Sequence, residues 1–451
     1  MPESRCLQGI WSSPWIFIFA AAGSAVGLGN IWKFPYILGE NGAAFLLIYC
    51  ICLLVVGLPM MVAEVALGRT VRSNPVDTVN DLSERHLIHR GWVAVPFIAG
   101  TTGLLILTFY SVIAGWTLAY AQRAATGAMS HIDMAQSQAL FDDFLNSPVE
   151  MILWHTLFIG LVVLSVGQAV TRGLSKLVRI LLPALVVTLI GLAMYSLWIG
   201  DAGQSLRFMV RWDWSELNFG VALSAIGHAL FSLGIGLGAM FSYGAYMSKR
   251  MSIAKACSIV VGLDVLVSIL AALAIFPLTF KFGLDVASGP GLPFISLPLI
   301  FSLLPGGQLL GLAFFALLVV AALTSAIAMM ELFVAWLHER FYIGRLKAAF
   351  LLGVGVWAVG ILVVLSFADW DAKLVFGYNL FELIDKLTSL VLLPVAAISL
   401  SILVAWVVPE KMLINEMIVK NAKHFRWWYT TLKYVSIPVA IFITLAGWIG
   451  V

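Results

Sequence analysis

The chain has 451 residues, 61% of them hydrophobic types and 11% charged, with a mean hydropathy of +1.01. Soluble domains carry about 25% charged residues, so this composition excludes a soluble enzyme or binding module and implies an all-α polytopic membrane protein whose surroundings are the lipid bilayer. The formal net charge of +3 is spread through the connections between apolar runs and carries no nucleic-acid signal.

Eleven apolar segments are long enough to span a hydrocarbon core of about 30 Å: residues 14–38, 44–65, 93–120, 151–169, 178–199, 219–246, 256–276, 309–337, 348–367, 387–408 and 431–449. With the N-terminus placed inside, 19 of the 26 Lys and Arg residues fall on the inner side and 7 on the outer side. The N-terminus is therefore expected in the cytoplasm and, after an odd number of spans, the C-terminus outside. Residues 1–10 lack the basic start of a cleavable signal, so the first segment is expected to be retained. Cys6, Cys50, Cys52 and Cys257 show neither metal spacing nor a disulfide framework.

In the first segment, "AAGSAVGLGNIWKFPY" (residues 21–36) puts Gly23, Ser24, Gly27, Gly29, Asn30 and Pro35 where an unbroken helix would need strong helix formers. Lipid cannot satisfy loose backbone groups, so a non-helical stretch at membrane depth is covered by protein or lines a wet cavity. Gly23 to Asn30 is read as an unwound hinge whose freed peptide groups hold a substrate and sodium; the alternative is a glycine-rich surface where helices pack closely. Near the outer ends of the first and tenth segments, Lys33 and Asp385 either pair across a vestibule as a gate or stand as separate surface charges. In the second segment, Glu64 is placed to accept hydrogen bonds from freed N–H groups, a structural role. The longest outer connections are residues 122–150 and 278–305, the second apolar enough to pack as a lid. Gly173 and Pro183, at the cytoplasmic end of the fifth segment, read as a cap and a kink or as a helix end able to unwind.

The sixth segment repeats the anomaly, with Gly234, Gly236 and Gly238 at alternate positions in mid-membrane, each weakening a helix by about 1 kcal/mol. Interrupted helices at matching places in two halves point to a transport site at the midplane. The chain is accordingly read as a single domain, 1–451, built of two inverted five-helix repeats, 14–199 and 219–408, followed by an eleventh helix at 431–449. The seventh segment carries Asp264 in an apolar run, and such a carboxylate needs either a cation or a proton. In the eighth, Ala321, Thr324 and Ser325 stand at i, i+3 and i+4, so a carbonyl and two hydroxyls face one point. Those hydroxyls either bond back to their own helix or, with carbonyls of Gly23 and Val26, supply five oxygens for a hard cation. Glu331 lines the cytoplasmic exit or finds a buried partner, and His228 is either a titrating group or a hydrogen-bonded interior histidine.

Taken together, "GSAVGLGNIWKFPY", "ENGAAF", "GLPMMVAEVALGR", the tyrosine of "TFYSVIAGWTLAY", "FSLGIGLG" and "LTSAIAMME" resemble the neurotransmitter:sodium symporter family, most closely its bacterial hydrophobic amino-acid transporters. The resemblance implies the LeuT-type fold, a bacterial plasma-membrane location and two sodium sites. The first would use Ala25, Asn30, Ser232 and Asp264 with the substrate carboxylate; the second would use Gly23, Val26, Ala321, Thr324 and Ser325. It also implies that the substrate carboxylate meets the N–H groups of Leu28 and Gly29 and the Tyr110 hydroxyl. The substrate amino group would meet carbonyls of Ala25, Phe231 and Ser232, and its side chain would project toward Ile106, Phe231, Gly234, Leu237, Ser325 and Met329. Monoamine carriers of the family have an aspartate where this chain has Gly27, which favours an α-amino acid carrying its own carboxylate.

Departures from the family pattern carry their own expectations. Asp264 stands where asparagine is usual, beside Ser268, so its charge is expected to replace chloride and uptake to be chloride-independent. Lys33 replaces the common arginine of the outer gate with a point charge. At the inner gate Gln8 occupies the usual arginine position, leaving Arg5 as the substitute, with Glu339 as its partner and Tyr246 nearby. "ENGAAF" is one residue shorter than the common form, which leaves the first outer loop open. The implied activity is sodium-coupled symport of hydrophobic and aromatic L-α-amino acids by alternating access. Alternatives are a proton- or sodium-coupled carrier of another small organic ion, or an ion channel. No nucleophile and base pair or metal-spaced cluster supports an intramembrane enzyme.

Overall fold

The structure is a computed structural model and describes residues 14–168, 174–211, 217–249, 251–286, 289–368, 377–417 and 422–449. Among the described residues nine helices are long and apolar enough to cross a membrane, and the shorter apolar helices Trp15–Ala25 and Phe219–Leu233 begin the two interrupted spans. One of the nine, Gly29–Val71, holds the outer half of the first span and all of the second. It folds back at Gly42 (φ 67°, ψ −167°), a backbone conformation that only glycine adopts without strain. The shortened "ENGAAF" is therefore a kink between two spans with no separate loop. Among the described residues all eleven expected segments are present as helices, the first and sixth of them interrupted.

Close helix contact brings the second span against the inner half of the sixth. A Cβ at Gly244 would overlap the Val65 carbonyl, and one at Gly68 would overlap the Phe241 carbonyl. Small residues at such crossings let backbones approach where lipid offers no hydrophobic drive for association.

The two long outer connections are not open loops. Residues 134–145 form the helix Met134–Leu145, begun by a reciprocal capping box in which Asp133 Oδ1 accepts from Gln136 N at 2.8 Å and Gln136 Oε1 accepts from Asp133 N at 2.9 Å. Residues 292–303 form the buried helix Leu292–Leu303, joined to the first by Ser137 Oγ donating to Ile295 O at 2.6 Å. The Trp32 indole N–H donates to Pro290 O at 2.9 Å, so this apolar connection lies down over the outer half of the first span.

On the opposite side the fully buried Arg69, near the end of the second span, donates to Met251 O at 2.8 Å and Ser248 O at 3.2 Å and also bonds the Glu416 carbonyl. Its Nε lies 3.4 Å from Glu416 Oε2, and Lys249 Nζ lies 3.2 Å from Glu416 Oε1. One guanidinium thus ties together the second span and the connections that follow the sixth and tenth.

Candidate functional site

The helix Pro14–Ala25 stops short of Gly27, and regular turns resume as the wide turn Gly29–Lys33. The break is shorter than the expected Gly23–Asn30: only Val26 and Gly27 leave helical geometry. Interrupting the helix there deprives the carbonyls of Gly23 and Ser24 of their i+4 N–H partners. The eighth span replaces those partners. Thr324 Oγ1 donates to Gly23 O at 2.5 Å and Ser325 Oγ donates to Ser24 O at 2.9 Å, which lets Gly23 and Ser24 stay helical. Both hydroxyls also lie within reach of Ala321 O, at 2.8 and 3.3 Å, so back-bonding and cross-span bonding coexist.

In the sixth span the helices Phe219–Leu233 and Ala239–Tyr246 are separated by Gly234, Gly236 and Gly238, whose φ angles are +66°, +77° and +72°. The freed N–H of Gly236 donates to Glu64 Oε1 at 2.7 Å, a buried carboxylate serving a backbone group that lipid could not satisfy.

Beside the first break, Asn30, Ser232 and Asp264 come together. Asn30 Nδ2 donates to Asp264 Oδ1 at 2.8 Å and to Ser268 Oγ at 2.9 Å, and Ser232 Oγ donates to the same Asp264 oxygen. Tyr49, which the sequence reading missed, donates its hydroxyl to Asp264 Oδ2 at 2.5 Å. Asp264 is fully buried, and none of the ion pairs among the described residues includes it. A buried carboxylate that accepts from two hydroxyls and an amide N–H, with no cationic partner among the described residues, offers a negative oxygen suited to a small hard cation. His228 packs next to this cluster, its ring 5.2 Å from that of Tyr49, and neither ring nitrogen has a partner among the described residues.

The second oxygen set surrounds a small hollow of about 10 Å³, lined by Gly23, Val26, Ala321 and Thr324 on one side and by Leu181, Leu182 and Leu185 of the fifth span on the other. That is the scale of one small ion or water. Ser325 does not line it; its hydroxyl faces Gly27, where a Cβ would stand 2.5 Å from Ser325 Oγ.

The residues expected to form the apolar wall of the site lie in the core. Ile106, Phe231, Leu237 and Met329 are all buried, and Gly29 abuts the Phe231 ring closely enough that a Cβ would stand 2.9 Å from it. Tyr110 Oη reaches Leu28 and Ser325 but closes no hydrogen bond of good geometry. A buried hydroxyl without a partner, aimed at a helix break, is equipped to meet a polar group of a ligand.

Above this wall Lys33 Nζ pairs with Asp385, donates to Ser389 Oγ at 2.9 Å and lies 4.7 Å from the centre of the Phe231 ring. The pair forms the floor of an outer cavity of about 820 Å³ that also reaches Tyr36, Trp116 and Phe381. Below, Glu331 finds its partner in Arg345 at 2.5 Å, with Tyr246 bonded to the same carboxylate. Glu339 accepts from the Asn74 side chain. Arg5 and Gln8, like Gly173, lie outside the described residues.

Comparison with known proteins places the chain among sodium-dependent transporters. A model of the sodium:neurotransmitter symporter family matches residues 8–139 and 139–450. The chain is 34% identical over 457 residues to the uncharacterized sodium-dependent transporter YhdH of Bacillus subtilis (strain 168), covering 100% of this chain and 99% of that protein. It is 28% identical over 441 residues to an uncharacterized sodium-dependent transporter of Haemophilus influenzae, covering 96% of each. Among solved structures, the crystal structure of MhsT in complex with L-phenylalanine matches with a TM-score of 0.93 at 36% identity, covering 98% of this chain and 100% of that one.

Proposed function

The chain belongs to the sodium:neurotransmitter symporter family, a family of sodium-dependent membrane transporters, and from that premise we propose that it takes up hydrophobic and aromatic L-α-amino acids together with sodium by alternating access. The observation that carries this reading is the buried break itself: Gly27 faces the Tyr110 hydroxyl, which has no partner among the described residues, Gly29 abuts the Phe231 ring, and Ile106, Leu237 and Met329 are buried apolar side chains that in this reading complete the wall. With Gly27 in the break and no carboxylate beside it, the ligand brings its own. N–H groups at a helix start favour that anion. The phenylalanine bound to MhsT supports an aromatic substrate for this chain.

In this reading two sodium ions are co-substrates. The first is held by the Ala25 carbonyl, Asn30, Ser232, Asp264 and the substrate carboxylate. The second is held by carbonyls of Gly23, Val26 and Ala321 with the Thr324 hydroxyl, while Ser325, which faces Gly27, is left out of that set. Sodium at the first site touches the substrate itself, so each ligand raises the affinity for the other by the same factor. Asp264 supplies a fixed negative charge, so chloride is not required. Lys33 and Asp385 form the outer gate, while Glu331, Arg345, Tyr246 and Glu339 close the inner side.

Binding of radiolabelled leucine, phenylalanine and tryptophan to purified protein tests the proposal. Saturable binding is expected in sodium and loss of at least tenfold in affinity when choline replaces it. A pocket walled by apolar side chains separates a methylene by only about 1–3 kcal/mol, so several of these amino acids should compete. Saturable binding of none of them, or binding indifferent to sodium, overturns it.

A further inference from the structure

The eleventh span starts from a helix unlike the others. Ala422–Thr431, "AKHFRWWYTT", contains no acidic residue, exposes Lys423, His424 and Arg426, and leaves Trp427 75% exposed. Basic and aromatic side chains on one short helix at the end of a span are the residue types that settle among lipid headgroups. A wide turn, Leu432–Ser436, then leads into Ile437–Ile449.

On the outer surface of the bundle, between the tenth and eleventh spans, runs a groove of about 760 Å³ whose lining is wholly apolar, including Ile402, Trp406, Ile437, Ile441, Leu445 and Ala446. From Ile437 to Ile449 it follows the eleventh span for about 18 Å at 1.5 Å per residue, close to the roughly 15 Å hydrocarbon depth of one leaflet. At its mouth stands Lys433, with Nζ 5.3 Å from the Trp406 ring, 5.6 Å from Tyr429 and 5.9 Å from Tyr434. None of the ion pairs among the described residues includes Lys433. The aromatic rings hold the ammonium at the groove mouth, and Arg426 lies two helical turns before it.

We infer that this groove is a binding site for an anionic phospholipid, its phosphate meeting Lys433 and Arg426 and one acyl chain lying along Ile437–Ile449. Charge decides the headgroup: the single carboxylate whose field reaches Tyr429 among the described residues is Glu410, and Lys433 and Arg426 outnumber it, so a lipid with net negative charge is preferred over a zwitterion of the same chain length. Shape decides the rest, because a wholly apolar channel one leaflet deep fits a hydrocarbon chain.

The test is native mass spectrometry of the full chain released from bilayers of equal phosphatidylglycerol and phosphatidylcholine. The wild type is expected to retain phosphatidylglycerol at least tenfold over phosphatidylcholine. Lys433→Gln should reduce that retention about fivefold, from the roughly 1 kcal/mol that each basic residue near a membrane surface contributes. Ala446→Phe, which fills the groove and leaves every charge in place, should remove the retained lipid. Lys255→Gln, exposed in the first turn of the helix Ile253–Lys281 and not part of the groove lining, should change nothing. Equal retention of the two lipids overturns the inference. So does a loss in Lys255→Gln as large as in Lys433→Gln, which would mark diffuse surface charge, or a dimer mass that Ala446→Phe splits, which would make the occupant a second copy of the chain.

Discussion

At the scale of single residues, the proposal rests on Asp264. A carboxylate with no protein cation, buried in a membrane span, is costly unless something neutralises it. Here Asn30, Ser232 and Tyr49 turn donors toward it, and the Asn30 oxygen in turn accepts from the Gly27 N–H, which ties the carboxylate to the first break. Asp264→Ala and Asn30→Ala are therefore expected to abolish sodium-dependent amino-acid uptake in proteoliposomes. Wild-type uptake should be unchanged when gluconate replaces chloride; an absolute chloride requirement would remove Asp264 from its role as the fixed anion. Asp264 was legible because it is an acid alone in an apolar run. Tyr49 was not: in "LLIYCIC" it is one more interior aromatic, and the carboxylate it serves is 215 residues away. Likewise nothing in sequence links Arg69 to Glu416, or Glu331 to Arg345, before the spans are packed.

At the scale of elements, both helix breaks were readable from glycines placed where lipid demands continuous hydrogen bonding, yet their extents were set by neighbours. The sixth span opens over the full run of its glycines because Gly234, Gly236 and Gly238 all adopt positive φ and Glu64 meets the freed Gly236 N–H. The first span opens over fewer residues than its composition allows, because hydroxyls of the eighth span satisfy the carbonyls of Gly23 and Ser24. No local sequence signal carries that second effect, since it depends on which helix lies alongside. The positive φ at Gly238, +72°, makes a sharp prediction. Alanine there faces a left-handed conformation costing about 1–2 kcal/mol, and its Cβ would also overlap the Leu332 side chain. Gly238→Ala is expected to lower the temperature at which the protein loses its monodisperse profile in detergent and to reduce amino-acid affinity. An unchanged profile and affinity would show that the sixth span tolerates a regular helix at this point.

At the scale of the whole molecule, an ion pair lies on either side of the candidate site. In the proposed cycle Lys33 and Asp385, beside the Phe231 ring, are the outward closure, and Glu331 with Arg345 the inward one. Arg69 and Glu416 bind the same inner side of the bundle from another direction. Alternating access requires that only one closure opens at a time, so the reachability of a fully buried wall residue reports which closure has yielded. Ile106 is such a residue, with 0% of its surface exposed. An Ile106→Cys variant in right-side-out vesicles should react with a membrane-impermeant maleimide in sodium alone and be protected by sodium plus saturating amino acid. Adding Asp385→Asn removes a charge-assisted bond of the kind that contributes about 1.5–3 kcal/mol, so the labelling rate should rise at least tenfold and protection by substrate should weaken. The Lys33–Asp385 pair stops being the outer gate if Asp385→Asn leaves the rate unchanged. If substrate never slows labelling of Ile106→Cys, the wall it belongs to does not hold the transported molecule, and the amino acid binds elsewhere in the bundle.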